Sequence, residues 1–278
     1  MSSIRRSIAV AVLAVIALSS TAFAQGDMRS RMTINMPAGL GSEIGHFPRG
    51  APGTSTGSPI AFGANFHDLY FGLGYQAPLR YSNDADGGLS LGAGLGNSTT
   101  ALGLDVTVNA LSTVRSGVGN RMGLGAKVHR IIDGTWGVAF GMQGLLLNGK
   151  RPDDPDASFY GVVTKVINLN GSQQGMFEAL TLSFGAGNKA FRTERDIAKN
   201  SNNLGYFGSV ALRVASYASI ITDWNQDLSV GVSFVPFTGF PLVLTPAVAD
   251  LTGNAGVTNS TKISRPRFTL GAGFAVKY

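Results

Sequence analysis

The chain has 278 residues, of which 44% are hydrophobic, only 14% are charged, 38 are glycine and none is cysteine. Soluble domains carry roughly a quarter charged residues, so an ordinary water-facing surface fits poorly. The lack of cysteine excludes disulfides and lipid attachment at a cysteine. The formal net charge of +6 is scattered along the chain rather than clustered, which argues against nucleic acid as a partner.

The N-terminus reads as an export signal. Arg5 and Arg6 form a positive start, and Ile8 to Leu18 is an apolar run too short for a comfortable membrane span. Ala22-Phe23-Ala24 is an A-x-A cleavage site, so residues 1–24 are expected to be removed and Gln25 to become the first residue. That removes two arginines and no acid, leaving 6 − 2 = +4. Residues 25–59 hold Pro37, Pro48, Pro52 and Pro59 among several glycines, which breaks any regular period. They read as an irregular segment, either a periplasmic tail or a strap folded into the interior of the domain formed by residues 60–278.

Residues 60–278 repeat one pattern. Side chains in a strand point to opposite faces with period two. Leu69, Phe71, Leu73 and Tyr75 oppose Gly72, Gly74 and Gln76, and Leu89, Leu91, Ala93 and Leu95 oppose Ser90, Gly92 and Gly94. The sets led by Leu104 and Val106, by Leu124 and Val128, and by Val138 and Phe140 follow the same rule. In the next segment Tyr160, Val162, Thr164 and Val166 are expected on the apolar face against Gly161 and Lys165, with Val163 as an interruption. Further segments centre on Leu182, Leu212, Ile220 and Val232, and a poorer one spans Leu242 to Val248 with Pro246 inside it. Leu204 to Trp224 is apolar enough to suggest a membrane helix. Arg213 in its middle, and its Val, Ile, Ser and Tyr content, favour two strands joined near Ser216.

The last segment, Phe268-Thr-Leu-Gly-Ala-Gly-Phe274-Ala-Val-Lys-Tyr278, alternates without a break and ends on an aromatic carboxyl terminus. It resembles the closing strand of bacterial outer-membrane β-barrel proteins. That resemblance implies a bacterial outer-membrane location, lipid on the outer face and delivery through the barrel-assembly machinery. About twelve strands are expected in an antiparallel all-β transmembrane barrel, with ten if the 204–248 region is misread. Counted from a periplasmic N-terminus, the odd connectors are long and the even ones short, as in such barrels. Only Asn225-Gln226-Asp227 breaks that rule. Tyr75, Tyr206 and Trp224 fall at the expected external ends, and Trp136, Phe234 and Tyr278 at the periplasmic ends, as interface anchors do.

The same facing rule places Asp105, Lys127, His129, Lys165, Arg213, Asp223, Arg267 and Lys277 on the inner face. Five bases against two acids, with His neutral, predict preference for anions if the lumen conducts; mutual ion pairs bracing a closed barrel are the alternative. A porin-like channel for small solutes is the first functional expectation. A non-conductive barrel with partner-binding loops is the second, and a membrane-embedded lipid-modifying enzyme the third. The three histidines, His46, His67 and His129, form no diagnostic spacing with a nucleophile, so no catalytic residues are expected. The Gly-x-Gly runs track the strand pleat and lack the helix a phosphate loop needs. Asp153-Asp154-Pro155-Asp156 reads as a solvated acidic loop, with divalent-cation binding as the sharper alternative. No cofactor is called for.

Overall fold

The computed structural model describes residues 51–79, 83–113, 117–149, 157–169, 176–193, 195–196, 199, 201–237, 240–253 and 265–277. The expected signal peptide, residues 25–50 of the Gly/Pro-rich segment, the Asp153–Asp156 stretch and Tyr278 lie outside them. The twelve strands are β1 Asp68–Ala77, β2 Asp86–Gly96, β3 Gly103–Ala110, β4 Met122–Ile132, β5 Trp136–Asn148, β6 Ser158–Asn168, β7 Ala179–Gly187, β8 Gly205–Ala215, β9 Ala218–Asn225, β10 Leu228–Phe234, β11 Leu242–Ala249 and β12 Arg267–Lys277. Each pairs antiparallel with its sequence neighbours, and β1 pairs with β12 from Asp68↔Lys277 to Ala77↔Phe268. This is a closed antiparallel twelve-strand barrel. Closure gives the edge groups of the first and last strands partners that an open sheet would lack. The stretch from 204 to 224 is the β8–β9 hairpin, as its β-branched content predicts.

The period-two pattern becomes an inside and an outside. Leu91, Phe140, Phe184, Val210, Ile220 and Val232 stand exposed around the outer wall. Among the described strand residues only Arg130 and Lys165 put a charge on that wall, and both sit near one end of it. We call that end the lower rim, where β1 begins and β12 ends. Its connectors are 97–102, 133–135, 169–178, 216–217 and 235–241. The upper rim carries 78–85, 111–121, 149–157, 188–204, 226–227 and 250–266. The parity is looser than the sequence suggests, because 169–178 is longer than 78–85 and 149–157.

Strand β6 reverses its expected facing. Tyr160, Val162, Thr164 and Val166 are buried inside, while Phe159, Val163 and Ile167 are exposed outside. Val163 therefore belongs to the outer face and interrupts nothing. Both faces of β6 are apolar because the inner one meets apolar neighbours rather than water. Tyr160 and Val162 pack with Ala61, Phe191 and Phe207, and Val166 packs with Ile60, Phe62, Ile131 and Ala179. Phe191 comes from a 3-10 turn, Lys189–Phe191, in the upper connector 188–204.

Residues 51–66 fill much of the interior. The Gly53 amide donates to Ser233 Oγ (2.7 Å), close to the lower end of β10. The chain then climbs to Asp223, near the upper end of β9, where Ser55 to Ser58 turn it back. On the return the Ala61 amide donates to Thr164 Oγ1 (2.9 Å) and Asn65 Oδ1 accepts from the Ser98 amide (2.6 Å) at the lower rim. The segment is thus a hairpin-shaped strap with both limbs opening downward. Glycines on the wall make room for it. A Cβ at Gly137 would stand 2.7 Å from the Phe62 ring, and one at Gly94 would be driven into the backbone of Ala64 and Asn65. Gln143 shares the inner-face parity of Gly137 and Gly141, and a register shift between β4 and β5, with Gly144 at φ 74°, follows directly after it.

Candidate functional site

The middle of the barrel holds a connected polar cluster. Asp105 on β3 faces Lys127 on β4 across one register pair, with Nζ to Oδ2 at 3.6 Å. Tyr70 on β1 donates its hydroxyl to Asp105 Oδ1 (2.7 Å) and also meets Thr107 Oγ1. Lys127 Nζ in turn donates to the carbonyls of Phe62 (2.6 Å) and Ile60 (3.4 Å) on the strap. The wall and the strap are therefore joined through one ammonium group, whose burial is compensated by an opposite charge and two carbonyls. His129 is buried beside Gly63 and Gly103 just below.

The strap is held a second time at its apex. Asp223 Oδ2 accepts from Ser55 Oγ (2.6 Å) and from the amides of Thr56 (3.0 Å), Gly57 (3.2 Å) and Ser58 (3.1 Å). Asp223 Oδ1 accepts from Ser58 Oγ (2.5 Å). Successive backbone N–H groups in a tight turn form a concavity that suits an anion. Here the anion is a side chain of the barrel's own wall.

The remaining expected residues lie at the rims. Arg213 is buried near the lower rim within electrostatic reach of Glu178. Lys277 ends β12 beside Asp68. Arg267 reaches the upper rim and pairs with Asp227 through Nη2. Lys165 is a correction: it lies on the outer face, where Nζ donates to Thr135 Oγ1 (2.6 Å) and sits 4.6 Å from the centre of the Trp136 ring. Its place follows from the reversed facing of β6, and a long basic side chain at a rim can reach water from an apolar wall.

Several inward or rim groups escaped the sequence reading. Asp68, Asp86, Glu178, Asp227 and Asp250 are buried acids, and Arg121 is a buried base. Asp86 accepts from Ser112 Oγ (2.7 Å) and the Thr113 amide (3.2 Å), fastening the connector after β3. With these acids present and Lys165 outside, the positive balance behind an anion preference is gone. The run Ser55-Thr56-Gly57-Ser58 carried a usable signal, a small polar turn in a Pro/Gly-rich segment, but nothing in the sequence names its partner 168 positions on.

Between the return limb of the strap and β3–β6 lies a cavity with about 90 Å³ for the centres of water-sized groups. Tyr70, Asp105 and Lys127 form its floor, while Asn109, Gln143 and Tyr160 line it toward the upper rim. No protein-family model matches this chain, and no curated protein resembles it in sequence.

Proposed function

We propose that this barrel resides in the bacterial outer membrane and passes small solutes when the strap of residues 51–66 leaves the wall. A belt of exposed apolar residues, with charge among the described strand residues only at one rim, supports immersion in lipid, where a closed barrel satisfies every backbone group. The observation that carries the channel reading is how the strap is attached. Its polar fixed points at Ser233, Asp223, Thr164 and Lys127 are hydrogen bonds that water can replace on release, and Ile60 to Phe62 add apolar packing against the wall clusters. The interior is thus filled by a detachable segment over much of its section.

Planar-bilayer recordings of the folded full chain and of Asp223→Ala test this. Rare openings in the native chain, with more frequent ones in Asp223→Ala, are expected. Silence from both proteins would overturn the channel reading and favour the second one, a non-conductive barrel with partner-binding loops. That alternative draws on the same interior, since the strap and the ion pairs also describe a permanently braced core.

A further inference from the structure

The cavity beside the strap has a chemistry of its own. Its lining contains one acid and one base, Asp105 and Lys127, and these neutralise each other. Their bonding capacity is already directed at Tyr70 and at the strap carbonyls. The groups above them are different. Among the described residues, the Tyr160 hydroxyl and the side-chain amides of Asn109 and Gln143 have no hydrogen-bond partner. Asn109 lies one residue from the upper end of β3, and Gln143 pairs with Ser158, the first residue of β6. These groups therefore line the cavity from mid-lumen to the upper rim.

We propose that this cavity is a binding site for a small, neutral, hydroxyl-rich ligand, a three- to four-carbon polyol, entering from the upper rim. Amide and phenol groups each donate and accept, which matches hydroxyl groups and gives no net attraction to an ion. Polar contacts fix a ligand's orientation while an apolar wall covers its carbon face; Pro59 and Ile60 supply that wall from the strap. One water needs roughly 10–15 Å³ in this measure of space, so the cavity takes roughly six to nine such groups. That suits a three- to four-carbon polyol, which has six to eight non-hydrogen atoms. Binding here does not depend on passage through the barrel, so the two readings fail separately.

Saturation-transfer NMR on the folded full chain in detergent tests the site, with glycerol and erythritol as probes and L-lysine and lactate as charged controls. Transfer to a polyol and none to the charged probes is expected. Tyr160→Phe keeps the ring against Phe191 and Phe207 and removes only the hydroxyl, and Gln143→Leu removes one amide. Each should weaken polyol binding about three- to tenfold, the range for one lost hydrogen bond, while heat-modified gel migration confirms a folded barrel. No transfer to either polyol, equal transfer to a charged probe, or unchanged binding in both folded variants would overturn the proposal.

Discussion

Asp223 on β9 and Ser58 on the internal strap are 165 positions apart and meet through a 2.5 Å hydrogen bond from Ser58 Oγ to Oδ1. Around that contact the second carboxylate oxygen takes the Ser55 hydroxyl and three successive amides. Asp223→Ala leaves these donors, partly buried at Ser55 to Gly57 and buried at Ser58, without their acceptor. Hydrogen bonds to a charged group are worth about 1.5–3 kcal/mol each, and they act here as one unit rather than adding. Loss of about 3 kcal/mol of docking energy is expected, or about a hundredfold faster amide exchange at Thr56 to Ser58. Unchanged exchange would mean the apex is held by something other than Asp223.

The wall glycines give a sharper test, because Gly94 faces the strap from inside β2 while Gly161 lies on the open outer face of β6. Gly94 abuts the backbone of Ala64 and Asn65, whereas a Cβ at Gly161 meets nothing closer than a carbonyl at 4.0 Å. Gly94→Ala should cost about 1–3 kcal/mol through overpacking and expose the 60–66 limb to added protease. Gly161→Ala should do neither. Thermal denaturation and limited proteolysis of the two variants check this, and equal behaviour would show that the strap is not packed on β2.

The outer belt predicts its own penalty. Leu91 and Phe184 are 62% and 65% exposed on the outer wall, each well inside its strand. If lipid covers that wall, arginine there costs about 2–4 kcal/mol at the bilayer midplane. Urea unfolding of Leu91→Arg and Phe184→Arg in lipid vesicles should show midpoints lowered accordingly. The same substitution at an exposed connector position, such as Asn202→Arg in the 188–204 connector, should be near neutral. Native-like unfolding of both wall variants would remove lipid from the description.

The 188–204 connector has an acid-sensitive knot. Asp196 accepts from Thr193 Oγ1 (2.5 Å), Asn203 Nδ2 (2.7 Å) and Ser201 Oγ (2.9 Å). These bonds, the Thr193 hydroxyl foremost, hold its carboxyl below the ordinary value of 3.8. A lowered carboxylate pKa stabilises the folded connector above the unfolded value and loses that support as pH falls through the folded one. Order around Thr193 to Asn203 should therefore persist down to about pH 4 and decline below it, read by NMR chemical shifts. Asp196→Asn should flatten that dependence, and an unaltered acid transition in this variant would assign the knot to another group.

How much was legible in the sequence differs between wall and interior. The twelve strands and the facing of eleven of them follow from alternation, because a strand half in water and half in an apolar medium writes its environment at every second residue. Strand β6 broke this rule for a physical reason: Ile60 to Phe62 and Phe191 cover its inner face, so Tyr160 and Val162 read as outward residues when they are core. Lys165 was misplaced with them. Asp105 opposite Lys127 was legible as a facing pair, since both lie on adjacent strands with inner-face parity.

What only the tertiary structure decided is who meets whom across the lumen. Composition marked residues 25–59 as an irregular Gly/Pro-rich segment and period marked Gly94 and Gly137 as small inner residues, but neither carries the identity of its partner. Those contacts join segments from about 30 to nearly 170 positions apart. They depend on barrel diameter and on strand stagger, which belong to the closed sheet as a whole and to no local stretch of chain.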